Sequence, residues 1–248
     1  MKIVFIADSH LKGLSDPNQE ALCDFLDGLF KIDKLVILGD FLDMWTGLND
    51  VVYKEYKPIL KSLFALTESG VELIYIEGNH DFHMGPYFTE TLRAKVCPES
   101  CGLMLGDKRV YLAHGDAINM TFGYSLLRGF LRSPVFKLLS SALPPHLIWN
   151  IGNLMSHGSR GYGNSKSATL TEKKQKIFAK KILAKGFDGV ILGHSHTAGV
   201  HRGLIEGSEG FYANPGGWIN GHSFLVYEDG ELSVKNYVVR SENEESSY

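Results

Sequence analysis

Residues 1–10 read MKIVFIADSH, and the way this stretch ends decides how the rest of the chain is read. Residues 2–7 form an apolar run rich in Ile, Val and Phe. The run is strand-length and bounded by Asp8, so it predicts a buried β-strand. The polar cluster Asp8-Ser9-His10 follows directly at its carboxyl end. The same pattern recurs along the chain. Apolar residues 35–38 run into Gly39-Asp40, and residues 71–76 run into Gly78-Asn79-His80-Asp81. Residues 110–113 end at His114-Gly115-Asp116, and residues 189–192 end at Gly193-His194-Ser195-His196. Helical periodicity separates these strands: at 18–30 through Leu22, Phe25, Leu26 and Leu29, around 53–67, and at 171–185. For that third helix Thr171 is the expected N-cap and Gly186 the stop. Residues 198–238 read as several strands joined by Glu206-Gly207 and Asp229-Gly230 turns. Strands alternating with helices predict an α/β fold, in which ligands collect beyond the carboxyl ends of the strands.

A chain of 248 residues fits one domain with room for an inserted lobe. The expected organisation is a single domain over 1–240, a helical cap inserted at about 120–170, and a polar tail over 241–248. The formal net charge of −3 argues against nucleic acid as a partner. That total hides an asymmetry. Residues 121–185 hold eleven Lys or Arg and one acid, Glu172, which makes them +10 and the remainder −13. Such segregation points to an anionic ligand or surface at the basic part. Three cysteines, with no C-x-x-C pair, do not make a disulfide framework and suit a reducing compartment. The start reads as a first strand, not a signal peptide. No apolar run reaches the roughly 18 residues of a membrane span.

Residues 122–155 break the strand–helix alternation. They are dense in Leu, Phe, Ile and Trp and are punctuated by Pro134, Pro144 and Pro145. Two or three short amphipathic helices are expected there, capping the carboxyl ends of the strands. Tyr124, Arg128, Arg132, Arg160 and Lys166 are the expected substrate contacts, the basic ones reaching phosphate or membrane. Lys173, Lys174, Lys176, Lys180 and Lys181 read as a solvated helix face. Apolar and basic residues mixed around Phe130, Leu131 and Phe136 are what an interfacial helix uses to reach an anionic membrane surface.

Asp, His and Asn side chains together suit Mn, Fe or Zn better than Ca or Mg. Asp40, alone after Gly39 at a strand end, is the candidate carboxylate to bridge two ions about 3.5–4 Å apart. Asp8 and His10, two residues apart, can face one ion, and the same spacing serves His194 and His196. Asn79 offers an amide oxygen, and His114 completes the set. A lone D-x-H or H-x-H is usually incidental in a polar loop. Five such clusters, each at a strand end, are far more specific. His83, His146, His157, His201 and His222 read as surface or packing residues.

D-S-H, G-D-x-x-D, G-N-H-D, H-G-D and G-H-S-H in this order resemble the calcineurin-like metallophosphoesterase superfamily. The resemblance implies a four-layer α/β/β/α sandwich and a metal-dependent phosphoesterase with two divalent ions, Mn²⁺ foremost. It implies that Asp8, His10, Asp40 and His196 hold one ion, and that Asp40, Asn79, His114 and His194 hold the other. His80 would act on the leaving oxygen beside Asp40 and Asn79, with Asp43, Asp81 and Asp116 orienting the ligands from behind. G-D-F-L-D-M-W, G-N-H-D-F-H-M-G, the R-x-x-x-R-S-P insertion and P-G-G-W are similar, more narrowly, to the UDP-2,3-diacylglucosamine pyrophosphohydrolases of lipid A synthesis. That likeness implies a lipid nucleotide-sugar substrate and a cytoplasmic, peripheral place at the inner membrane of a Gram-negative-type bacterium. One position departs: His80 stands where the best-known branch of that family carries Arg. A broader phosphodiesterase or phosphoprotein phosphatase is the alternative. A non-catalytic scaffold is disfavoured, because every expected ligand is present.

Overall fold

The structure is a computed structural model that describes residues 1–47, 54–141, 165–203 and 209–239. In chain order its elements are β1 (Ile3–Ile6), α1 (Pro17–Asp27), β2 (Lys34–Ile37), β3 (Trp45–Thr46), α2 (Lys57–Glu68), β4 (Glu72–Ile76) and β5 (Asp81–Phe82). There follow β6 (Lys95–Cys97), β7 (Ser100–Leu105), β8 (Lys108–Ala113), α3 (Phe122–Leu131), α4 (Pro134–Ser141) and α5 (Ser165–Leu183). The last are β9 (Gly189–Leu192), β10 (Gly199–Arg202), β11 (Phe211–Asn214), β12 (Ser223–Glu228) and β13 (Glu231–Asn236).

Two sheets carry the fold. One runs β13-β12-β1-β2-β4-β6, the other β10-β11-β9-β8-β7. The β1-β2-β4-β6 and β8-β9-β11 pairings are parallel, so within each set the carboxyl ends share one edge. Strand alternation then builds three cores. Ile3, Phe5, Val36 and Ile74 face the other sheet, where Val110, Leu112 and Ile191 meet them. Val4, Ile6, Leu35 and Leu73 point the opposite way, onto Leu22, Phe25 and Leu26 of α1 and Ile59 and Leu63 of α2. Val190, Leu192 and Tyr212 pack on Ala179, Ile182 and Leu183 of α5. Helix, sheet, sheet and helix therefore stack as four layers. Strands buried on both faces explain the continuous apolar runs in the sequence. Each buried Leu, Ile or Phe contributes about 1.5–3 kcal/mol.

Local chemistry sets the boundaries. The Asp16 side chain accepts from Asn18 N, Pro17 opens α1, and the Gly28 and Leu29 N–H groups close it on the Asp24 and Leu26 carbonyls, ahead of the expected end at residue 30. The Asp229-Gly230 turn joins β12 to β13 with both residues at positive φ, as a type I′ turn requires. The Glu206-Gly207 turn lies outside the described residues. One boundary is corrected: α5 begins at Ser165, so Thr171 lies inside the helix and does not cap it. Lys166, Ala168 and Leu170 are good helix formers and carry the helix through the earlier turns. In the expected cap, α3 and α4 are described, whereas 142–164 are not.

Candidate metal centre

The loops after β1, β2, β4, β8 and β9 meet at one place. Their backbones are unusual: Asp8, His10, Asp40, His194 and His196 all have positive φ, from 45° to 67°. The left-handed region costs most side chains of the order of 1 kcal/mol, and such conformations cluster at functional sites. Two glycines make the approach possible. A Cβ on Gly39 would lie 2.8 Å from Gly78 Cα, and one on Gly78 would lie 2.1 Å from Asp40 Oδ1.

Each buried carboxylate divides its work between its two oxygens. Asp40 Oδ1 accepts from Asn79 N at 2.8 Å and His80 N at 3.0 Å, which ties the G-N-H loop to β2. Its Oδ2 faces the Nε2 atoms of His114, His10 and His80 at 3.4, 3.8 and 4.0 Å. Asp8 Oδ2 accepts from His194 N at 2.8 Å. Asp8 Oδ1 is buried and receives no hydrogen bond, although His196 Nε2 lies 3.4 Å away. An orphaned buried carboxylate oxygen needs an explanation, and a cation supplies one. Among the described residues, three donor groups each gather within 4.8 Å: Asp8, His10 and His196; His10, Asp40 and His80; Asp40, His114 and His194. Asn79 Oδ1 joins them, 3.3 Å from His114 Nε2.

The imidazoles are held from behind. His114 Nδ1 is 2.7 Å from the Leu38 carbonyl and His80 Nδ1 is 3.0 Å from the Asp43 carbonyl. A carbonyl only accepts, so Nδ1 carries the hydrogen in both rings. That leaves Nε2 of His114 as the atom facing Asp40, the one that would offer its lone pair to a bound ion. His196 Nδ1 lies 3.1 Å from the Asn220 side-chain amide. Burial raises the Asp40 carboxyl, but the His114, His80 and His10 imidazoles outweigh it and hold it well below the usual carboxylate range. Asp8 is likewise low, burial being outweighed mainly by His196. Burial, reinforced by the neighbouring His80, pushes His10 down to about 4, so it is neutral at pH 7. His194 is lowered by burial and by His114. Burial opposes it, but the Asp40 and Asp8 carboxylates raise His114 well above the usual imidazole range, and Asp8 likewise raises His196. Carboxylates, imidazoles and an amide oxygen converging in this way form a donor set that fits divalent transition ions.

Asp81 holds loops together. Its Oδ1 accepts from Asp40 N and Gly78 N, both at 2.9 Å. Its Oδ2 accepts from Phe41 N at 2.6 Å, Leu42 N at 3.2 Å and Tyr75 OH at 2.5 Å. Burial and the nearby Asp40 push its pKa up to about 6, so all these acceptor sites are present at pH 7. Asp43 reaches His80 through its backbone carbonyl. Asp116 lies just beyond His114 and holds Arg128.

The expected substrate contacts divide. Tyr124 OH lies 3.5 Å from Asp116 Oδ2, beside the cluster. Arg128 and Arg132 are both paired within the protein. Arg128 Nε donates to Asp116 at 2.7 Å, while Nη1 and Nη2 fork onto Glu99 at 2.9 and 2.8 Å. Arg132 donates to Glu77, the Pro98 carbonyl and the Gly78 carbonyl. Arg160 and the Lys166 side chain lie outside the described residues, as do His146 and His157. His201 stacks on Tyr212 and His222 reaches Asn18, as packing residues do. His83 Nε2 meets the Leu131 carbonyl at 3.1 Å. Sequence reading missed Gln175 and Asn214, both fully buried, which donate to the Gly193 carbonyl at 2.8 and 2.9 Å behind the G-H-S-H loop. No signal in the sequence marks them out.

Comparison with known proteins follows this geometry. Residues 1–198 match the family model of the calcineurin-like phosphoesterases. Curated relatives named UDP-2,3-diacylglucosamine hydrolase include one from Psychromonas ingrahamii, 26% identical over 98% of this chain and 99% of that protein. One from Pseudomonas putida strain F1 is 28% identical over 83% and 86%. One from Shigella sonnei is 29% identical over 88% and 91%. Among solved structures, the E. coli phosphoesterase Yfce aligns over 94% of this chain and 91% of its own, with 19% identity and a TM-score of 0.44. The chain belongs to the calcineurin-like phosphoesterases and is a metal-dependent phosphoesterase.

Proposed function

We propose that this chain hydrolyses the pyrophosphate bond of UDP-2,3-diacylglucosamine, giving 2,3-diacylglucosamine 1-phosphate and UMP, in lipid A biosynthesis. The observation that carries this reading is the polarity of α3. Tyr124, Arg128 and Arg132, four residues apart, share one face and turn it towards the metal loops. Phe122, Leu126 and Phe130 lie on the opposite face and are 82%, 61% and 48% exposed. Val135 and Leu138 of α4 add 59% and 74%. An apolar surface of this kind beside a phosphoesterase centre suits a substrate that joins phosphates to acyl chains. The names of the curated relatives agree.

In this reading two divalent ions, Mn²⁺ foremost, are held by Asp8, His10, Asp40 and His196 and by Asp40, Asn79, His114 and His194. When bound, they would polarise the phosphoryl oxygens and activate the attacking water. Asp40 Oδ2 lies between the two donor sets, its Oδ1 being committed to the G-N-H loop. Asn79 directs its amide oxygen into the second set. His80, anchored at Nδ1, presents Nε2 to the leaving oxygen and delivers its proton there. Residues 1–240 act as one domain with the cap at about 120–170.

No helix among the described residues is long and apolar enough to cross a membrane. The cap instead docks peripherally, its exposed apolar stripe on the anionic cytoplasmic face of the inner membrane and the acyl chains entering from that side. The test is purified protein with UDP-2,3-diacylglucosamine and Mn²⁺, products read by mass spectrometry and set against bis(p-nitrophenyl) phosphate. UMP and the sugar 1-phosphate are expected. Turnover of the small diester alone would replace this reading with a broader phosphodiesterase.

A further inference from the structure

Two peptide planes stand directly ahead of expected metal ligands, and each is held on both sides. The first joins Gly78 to Asn79. Its N–H is taken by Asp40 Oδ1 at 2.8 Å, and its carbonyl by Arg132 Nη2 at 2.7 Å. The second joins Gly193 to His194. Its N–H is taken by Asp8 Oδ2 at 2.8 Å, and its carbonyl by Gln175 Nε2 at 2.8 Å and Asn214 Nδ2 at 2.9 Å. A trans peptide points its N–H and C=O in opposite directions, so bonds at both ends stop the plane from rotating. Losing either hold would free ψ of the glycine and φ of the ligand residue, and a net change in those two angles shifts the side chain that follows. A glycine before the ligand makes that rotation easy unless something blocks it.

We propose that Arg132 and Gln175 are positioning residues that clamp these two planes and so fix where Asn79 and His194 present their donor atoms. The inference rests on Asn79 and His194 being metal ligands. In each clamp the N–H side is a carboxylate of the metal cluster itself. The carbonyl side comes from Arg132 at the end of α3, inside the cap, and from Gln175 of α5 with Asn214 of β11 beside it. Arg132 therefore ties the cap to the metal centre. Gln175 is fully buried, its Oε1 accepting from Tyr212 OH at 2.7 Å, so it holds the loop from inside the fold and does not reach substrate. Arg132 is braced in turn by Glu77 Oε2 at 3.1 Å. Its second amine group is left to serve the Gly78 carbonyl.

The test is calorimetric titration of Mn²⁺ into metal-stripped protein, without substrate, for wild type, Arg132→Met and Gln175→Met. Groups that orient metal ligands typically matter about 10–100-fold in affinity, so Mn²⁺ should bind at least about tenfold more weakly to each variant. Thermal unfolding of the stripped proteins checks the fold. If Arg132→Met fails to fold because Glu77 is stranded, Arg132→Met/Glu77→Gln measured against Glu77→Gln alone takes its place. At saturating Mn²⁺, the KM for a small soluble diester should stay near wild type while kcat falls. Wild-type Mn²⁺ affinity with a raised KM would overturn the clamp and make Arg132 a phosphate contact. Asn79→Ala and His194→Ala are the reference. If they too bind Mn²⁺ like wild type, the ligand assignment fails rather than the clamp.

Discussion

Asp81→Asn is the sharpest probe of how the metal loops are held. The carboxylate takes five donors: Asp40 N and Gly78 N on Oδ1, and Phe41 N, Leu42 N and Tyr75 OH on Oδ2. An amide keeps one oxygen and turns an NH₂ group towards the other set. Tyr75 can rotate its hydroxyl and accept, but a backbone N–H cannot. Turning the NH₂ to the Oδ2 side strands Phe41 N and Leu42 N; turning it to the Oδ1 side strands Asp40 N, because Gly78 N also reaches the Asp81 backbone carbonyl at 3.1 Å. The amide adopts the cheaper orientation, so at about 1–3 kcal/mol for an unsatisfied buried group the loss is about 1–3 kcal/mol, set against the roughly 5–15 kcal/mol typical of a domain. The melting point should fall by roughly 2–12 °C, at about 2–4 °C per kcal/mol for a chain of this size. Urea unfolding in the presence of a chelator measures this without any contribution from metal. Tyr75→Phe removes one donor and strands none, so it should cost less. A stripped Asp81→Asn protein within about 0.5 kcal/mol of wild type would refute the reasoning.

Further expectations follow from the same geometry. His80→Ala should lower kcat by about 10²–10⁴-fold with metal content unchanged; an unaltered kcat would make His80 a bystander. Replacing Phe122, Leu126 and Phe130 with Ser should raise KM for the lipid substrate and weaken binding to anionic liposomes while a small diester is hydrolysed as before. Equal loss on both substrates would mean the stripe only supports the fold. Burial, opposed by a hydrogen bond from Ser62, leaves the Cys23 thiol raised to about 11. Alkylation at pH 8 should then run about 100-fold slower than for a free thiol and speed up as pH rises towards 11; labelling at the free-thiol rate would contradict the burial of that site.

The α/β alternation was legible because strands buried on both faces show as unbroken apolar runs, each ending in polar residues; the division of those strands between two sheets came only from the family resemblance. The ligand candidates were legible for a related reason: each follows its strand immediately, so parallel strands carry them to one edge. What stayed hidden lies in partners without a signature. The Leu38 and Asp43 carbonyls that orient His114 and His80 are backbone atoms, which any residue supplies. Gln175 and Asn214 look like ordinary polar residues until packing places them behind Gly193. Arg128 and Arg132 read as free cations because Glu99 and Glu77 are distant in sequence. β7, with Gly102 and a mixed burial pattern at the sheet edge, lacks the apolar run that marked its neighbours.

Metal stoichiometry tests the centre most directly. Wild-type protein loaded with Mn²⁺ and passed through a desalting column should carry two ions per chain by elemental analysis. Asp40→Ala, which removes the carboxylate between the two donor sets, should carry at most one and show no phosphoesterase turnover. Two tightly held ions and wild-type turnover in Asp40→Ala would contradict the site.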